Sequence, residues 1–138
     1  MMKKVMRLMV VMVLLNGAAM SQTNTRTDVY SWVEEMPKFN GGEDSLFKYI
    51  SNNIRYPKIA LMSNVQGTVY VNFIINPDGK VSDVKVLRGI GSGCDEEAVR
   101  VVQAMPDWNP GTQLSKKVSV TLNLPIKFKL GSSDSLNK

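Results

Sequence analysis

An α+β domain, with two main helices packed on a three-stranded antiparallel sheet, is what three features of this 138-residue chain predict. Over residues 117–130 every even position is apolar and every odd one is polar or proline, which is the period of a half-buried strand. Residues 68–76 and 81–87 are two further strand-like runs joined by Asn76-Pro77-Asp78-Gly79, a hairpin turn signal. Two stretches, one opening at Glu43 and one at Cys94, instead space their apolar residues as a helix does. Strands and helices that do not alternate strictly pack as helices on one face of an antiparallel sheet.

The first element is a targeting signal. Lys3, Lys4 and Arg7 precede an uncharged run, residues 8–15, and small residues follow at Gly17, Ala18 and Ala19. This is the pattern of a signal peptide, expected to span residues 1–21, with cleavage after Ala19 or Ser21. An uncleaved anchor is the alternative, but residues 5–15 contain Arg7 and fall short of the ~20 apolar residues a spanning helix needs. The reading places the remaining chain outside the cytoplasm. It also changes the charge: of 17 basic side chains the leader holds three, so 14 remain against 12 acidic ones, and +5 becomes +2.

Residues 22–33 read as an N-terminal arm, residues 34–130 as the folded domain and residues 131–138 as a flexible tail. Residues 29–36, running from the arm into the domain, read as extended and end at Pro37. Gly41-Gly42 then breaks the chain, and Glu43 and Asp44 open a helix whose first turn favours acids. Leu46, Phe47, Ile50 and Ile54 form its apolar face. The helix stops near Asn53, because Tyr56 precedes Pro57 and is pushed toward extended geometry. Pro57 begins a second short helix over residues 58–63 as a first-turn proline.

In the hairpin, Val69, Val71, Phe73 and Ile75 share one face. The apolar positions of the return strand change parity between Val81 and Val84, which predicts a bulge or late start near Ser82-Asp83. A glycine-rich loop, residues 89–93, leads to the second main helix, with Cys94, Ala98, Val101, Val102 and Met105 on one face and Pro106 as terminator. In the last strand Pro125 can donate to no ladder, so the strand is expected to bend or to lie at an edge on that side.

Catalysis finds little to stand on. Histidine is absent, which excludes His-based triads and His metal ligands. Cys94 falls in phase with Ala98 and Val101 and reads as a small core hydrophobe rather than a nucleophile. Asp95-Glu96-Glu97 point to different sides of a helix, and read as dipole partners and solvated residues rather than metal ligands. The turn at residues 76–80 lacks the alternating acids and closing Glu of a calcium loop. No catalytic residue, metal ligand or cofactor is therefore assigned. The longest basic run is Lys116-Lys117, without interleaved aromatics, so nucleic acid is not an expected partner. Trp108 and Tyr56 sit beside prolines in connecting segments and are read first as packing residues.

Met36-Pro37, Gly41-Gly42, Tyr56-Pro57, Gly67-x-Val69, the run Asp78-Gly79-Lys80-Val81, Asp95-x-x-Ala98 and Trp108-x-Pro110-Gly111 follow one another in an order that resembles the TonB C-terminal domain family. The Met-Pro and Gly-Gly elements are similar to those of its Bacteroidetes-type members. The resemblance covers about residues 34–130 and implies a non-enzymatic, energy-transducer-like module of TonB-dependent transport. It implies, as partner, the TonB box of an outer-membrane receptor, paired as a strand with the last strand of the domain, at Val118, Ser119, Val120, Thr121, Leu122, Asn123 and Leu124. Asn53, Ile54, Arg55, Tyr56 and Pro57 correspond to the stretch that lies against that box. ExbB and ExbD-linked components are further implied partners. A periplasmic adaptor or homodimer, pairing through the same strand without transducing energy, is the alternative expectation.

Overall fold

The computed structural model describes residues 28–131. The expected leader, and the tail beyond Gly131, lie outside the described residues. The elements run β1 (Val29–Tyr30), α1 (Gly42–Asn53), α2 (Lys58–Met62), β2 (Gly67–Ile75), β3 (Val81–Arg88), α3 (Cys94–Gln103), β4 (Gly111–Gln113) and β5 (Lys116–Phe128).

Three long strands, β3, β2 and β5, form the antiparallel sheet that the alternation predicts, with β2 in the middle. The sheet is nevertheless mixed. β1 adds to the far side of β5 in parallel, Val29 beside Ser119 and Tyr30 beside Val120, and β4 folds back on the start of β5. The two additions are two and three residues long, too short to leave a period in the sequence. β5 pairs with β2 without a break from Val120↔Ile75 to Phe128↔Gly67, passing through Pro125.

Alternation decides which face is buried. Val69, Val71, Phe73 and Ile75 of β2 and Leu124, Ile126 and Phe128 of β5 join Leu46 and Ile50 of α1, Ala60 of α2 and the apolar stripe of α3 in one core. The helices therefore cover a single face. Cys94, Ala98, Val101 and Val102 are wholly buried and Met105 nearly so, as their spacing predicts. Phe47 departs from its expected place and is about half exposed. It lies one residue, about 100° of helix, from the Leu46 and Ile50 stripe that faces the sheet.

The hairpin closes through Asn76, whose N–H donates to Lys80 O at 2.9 Å, while its carbonyl accepts Gly79 N–H at 2.8 Å. The expected irregularity falls at Asp83, in left-handed backbone at φ 50°, where the β2–β3 register shifts. α1 ends at Asn53, with Ile54 already extended. Pro57 stands one place earlier than expected, as the extended residue before α2 rather than inside its first turn.

Candidate functional site

The geometry of β5 sets the site. Its side facing β2 is used throughout residues 120–128. On the other side β1 reaches only to Val120, and from residue 121 to residue 128 no strand among the described residues pairs with it. That open stretch is roughly 25 Å of backbone at ~3.3 Å per residue. Pro125 falls within it, in keeping with the expectation of an edge on that side.

β1 is placed there by the segment that follows it. Glu35 and Thr112 exchange backbone hydrogen bonds of 3.1 and 2.9 Å, and Lys38 and Asn109 exchange bonds of 3.0 and 2.9 Å. Val33 is buried, and Pro37 lies near Gly111. The tether is firm from Glu34 onward, where the backbone N–H donates to Gln113 Oε1, whereas Val29 and Tyr30 are exposed and hold by backbone pairing. Ser119 is buried beneath this pairing, although its odd position marks it as outward, and its hydroxyl finds no partner among the described residues.

Beside the open stretch lies a cavity of about 470 Å³. Leu46 of α1, Phe73 of β2, Leu122 and Leu124 of β5, Phe39 and Trp108 form its apolar walls, with Lys38, Glu43 and Asn123 also bordering it. Trp108 is the keystone of these walls. Its ring meets Phe39 edge-on at 5.3 Å and Phe73 at 5.8 Å, and its backbone N–H donates to Gly79 O at 2.8 Å. Gly79, at φ 86°, is required by that approach: a Cβ there would stand 2.1 Å from Trp108 O. The Trp108 indole Nε1 is buried and has no acceptor among the described residues.

The opposite face of the same strands is polar. Asn72 Nδ2 donates to Thr121 Oγ1 at 2.8 Å and to Asn123 Oδ1 at 2.7 Å, tying β2 to β5 across the sheet.

The two groups of sequence-predicted site residues occupy opposite ends of β5. Val118, Ser119 and Val120 already have β4 or β1 as neighbours, while Thr121, Leu122, Asn123 and Leu124 lie on the open stretch. Asn53, Ile54, Arg55, Tyr56 and Pro57 cross from α1 toward α3 beside the far end, where the Tyr56 ring meets Phe128 edge-on at 5.6 Å. This crossing is braced. Tyr56 Oη donates to Val65 O, Arg55 N–H donates to Glu97 Oε1 at 3.0 Å, and Arg100 Nη2 donates to Asn53 O at 2.8 Å.

Glu97 thereby corrects the reading of residues 95–97 as solvated. Burial pushes its carboxyl up, but hydrogen bonds from Arg100 and the Arg55 backbone and the two positive charges outweigh that, and its pKa is lowered. Asp95 is likewise engaged, its Oδ1 accepting Ile90 N–H at 2.8 Å and Gly91 N–H at 3.2 Å. The partners of Glu97 lie up to 42 residues away, so no local pattern announces them. Sequence reasoning also missed the cavity, whose walls come from five separate segments. Among the described residues no cluster of potential metal ligands occurs, and no helix is long and apolar enough to cross a membrane.

Residues 52–130 match the family described as Gram-negative bacterial TonB protein C-terminal. Over 82 residues, 59% of the chain, the sequence is 49% identical to Protein TonB of Helicobacter pylori, and covers 27% of that protein. Protein TonB of a second Helicobacter pylori strain is 49% identical over 39 residues, 28% of this chain and 14% of the relative. The chain thus spans about a quarter or less of the length of these curated relatives. Among solved structures, the solution NMR structure of Helicobacter pylori TonB-CTD shares 28% identity at a TM-score of 0.49, covering 64% of this chain and 94% of that one. That of Pseudomonas aeruginosa TonB CTD shares 28% identity at a TM-score of 0.41, covering 57% and 80%.

Proposed function

The chain belongs to the family of Gram-negative bacterial TonB protein C-terminal domains, and from that premise we propose that it is a periplasmic docking module that takes the TonB box of an outer-membrane receptor as an added strand on β5. The observation that carries this reading is the open stretch of β5, residues 121–128, with which no strand among the described residues pairs on the side away from β2. An extended peptide satisfies such an edge with main-chain hydrogen bonds, the least sequence-demanding form of strand recognition. Thr121, Leu122, Asn123 and Leu124 take the incoming strand. Asn53, Ile54, Arg55, Tyr56 and Pro57 stand at the far end, where Arg55 presents an exposed cation. The role is binding rather than catalysis, within TonB-dependent transport, with ExbB and ExbD-linked components as further partners.

Titration of the full chain with synthetic TonB-box peptides, following backbone amide resonances, tests this. Binding shifts the amides of residues 121–128 and, at the far end, those of Asn53, Ile54, Arg55 and Tyr56. Unchanged spectra at millimolar peptide, with a concentration-dependent dimer in sedimentation, would transfer the open edge to a second copy of the chain and replace this reading with the adaptor.

A further inference from the structure

The sheet has a second face, and strand docking at the edge of β5 makes no use of it. The helices cover the side that holds Val69, Val71, Phe73 and Ile126, so residues of the opposite parity look outward. Around Asn72 and Asn123 that outward face is polar and hydrogen-bonded within itself. Toward the Gly67 end of β2 its character changes. Tyr70 stands between Pro125 of β5 and Arg88 of β3, Thr68 is across from Lys127, and Asn72 is across from Lys85. Directly opposed residues share a face, which brings Tyr70 and the three cations onto one area, about 10 Å across the strands and about 13 Å along them. Tyr70 is 42% exposed, and Leu87, at the register shift beside Arg88, is 54% exposed. Lys85, Arg88 and Lys127 are exposed as well, and among the described residues none of them is held in an ion pair. β2 and β5 contain no acid, and the one acid of β3, Asp83, sits at the bulge on the far side of Lys85 from Arg88.

We propose that this outward face is a membrane-contact surface, on which Lys85, Arg88 and Lys127 meet the headgroups of an anionic lipid bilayer while Tyr70 and Leu87 seat among them. The charges are complementary, and a tyrosine, with an apolar ring and a polar tip, suits the headgroup level of a bilayer. Three cations on long stems around an apolar centre match a diffuse negative surface better than one fixed carboxylate of a partner protein. Each cation near such a surface strengthens binding about fivefold, so three give on the order of 100-fold over a neutral bilayer, which is a weak and reversible contact. A strand added to β5 extends the sheet at its edge and leaves this face uncovered, so both contacts are compatible. Contact with the bilayer would then raise the concentration of the domain near any partner held in the same membrane.

The test uses the ¹⁵N-labelled full chain and bicelles of phosphatidylcholine, either alone or with a third of it replaced by phosphatidylglycerol, each carrying a trace of lipid with a nitroxide headgroup. The amides of Tyr70, Lys85, Leu87, Arg88 and Lys127 are expected to broaden in the anionic bicelles, to stay sharp in the neutral ones and to recover in high salt. A variant combining Lys85→Gln, Arg88→Gln and Lys127→Gln, its fold checked by unchanged amide positions elsewhere, should need on the order of 100-fold more anionic lipid for the same broadening. Because the readout is residue by residue, insertion of the N-terminal segment does not imitate it. Equal broadening in neutral bicelles, or broadening confined to other exposed apolar residues such as Ile59 and Met62 of α2, would overturn the proposal. So would shifts of the same amides by free glycerol phosphate at matched concentration, which would mark a single-phosphate site. Shifts by a capped polyglutamate peptide with the bicelles inert would give the face to an acidic protein instead.

Discussion

Gly79→Ala tests the contact that holds Trp108 in place. The substitution costs ~1 kcal/mol for holding a residue with a Cβ at φ 86°. The new methyl would lie 2.1 Å from Trp108 O, with the adjoining carbonyl carbon at 3.2 Å, so the backbone must separate. Separation breaks the Trp108 N–H to Gly79 O bond of 2.8 Å. A lost bond and a buried donor left without a partner cost about 1–3 kcal/mol together. Against this, alanine restricts the unfolded chain and returns about 0.4–1 kcal/mol. The net expectation is a loss of about 2–3 kcal/mol. Gly91→Ala is the matched control: its φ is 72°, but a Cβ there has nothing within 4 Å. It carries the backbone cost without the collision, so its expected loss is about 0.5 kcal/mol. Urea unfolding followed by tryptophan fluorescence gives both values, with a fall in Tm of roughly 10–20 °C for Gly79→Ala in a domain of this size. Two variants within 0.5 kcal/mol of each other would refute the argument that close approach to Trp108, rather than backbone conformation, demands glycine at position 79.

Two further outcomes follow from groups inside the fold. Glu97 has a folded pKa below its ordinary 4.5, so its contribution is fully present above that value and is lost as pH falls through the lowered one. Glu97→Gln should therefore cost about 1 kcal/mol at pH 7 and progressively less as pH falls below 4.5, measured by urea unfolding at each pH; a difference that does not shrink on acidification would show that the charge contributes nothing. Cys94 is wholly buried, and burial, followed by the charges of Asp95 and Glu96, raises its thiol pKa. Its reaction with a soluble disulfide reagent at pH 8 should be at least ~100-fold slower in the folded chain than in urea, a ratio set by opening of the fold; near-equal rates would place the thiol at the surface.

What was legible in the sequence follows from how local each signal is. The stripe of α3, the hairpin turn and the parity change that marks Asp83 depend on neighbours a few residues apart, and each stands where its pattern puts it. The even-odd alternation of residues 117–130 likewise gives β5, two residues shorter at its far end. The parallel seat of β1 left no comparable signal, because it depends on Val29 and Ser119, 90 residues apart, and on the tether through Glu35 and Thr112. Burial of Ser119 follows from that seat, against the alternation. Glu97 illustrates the same limit at the candidate site: three adjacent acids look alike in sequence, and only the arrival of Arg55 and the orientation of Arg100 distinguish the one that clamps α1 to α3.

Pro125 and the lysines flanking β5 also bear on what the exposed edge avoids. An unpaired strand of this length invites copies of itself, and sheet-on-sheet growth in a crowded compartment begins at such margins. Self-pairing of β5, in either direction, would oppose lysine-bearing strands that contain no acid, and would place a residue without an N–H in each ladder. The edge is thus poorly suited to propagate, and the strand whose margin is left uncovered carries its own safeguard against aggregation.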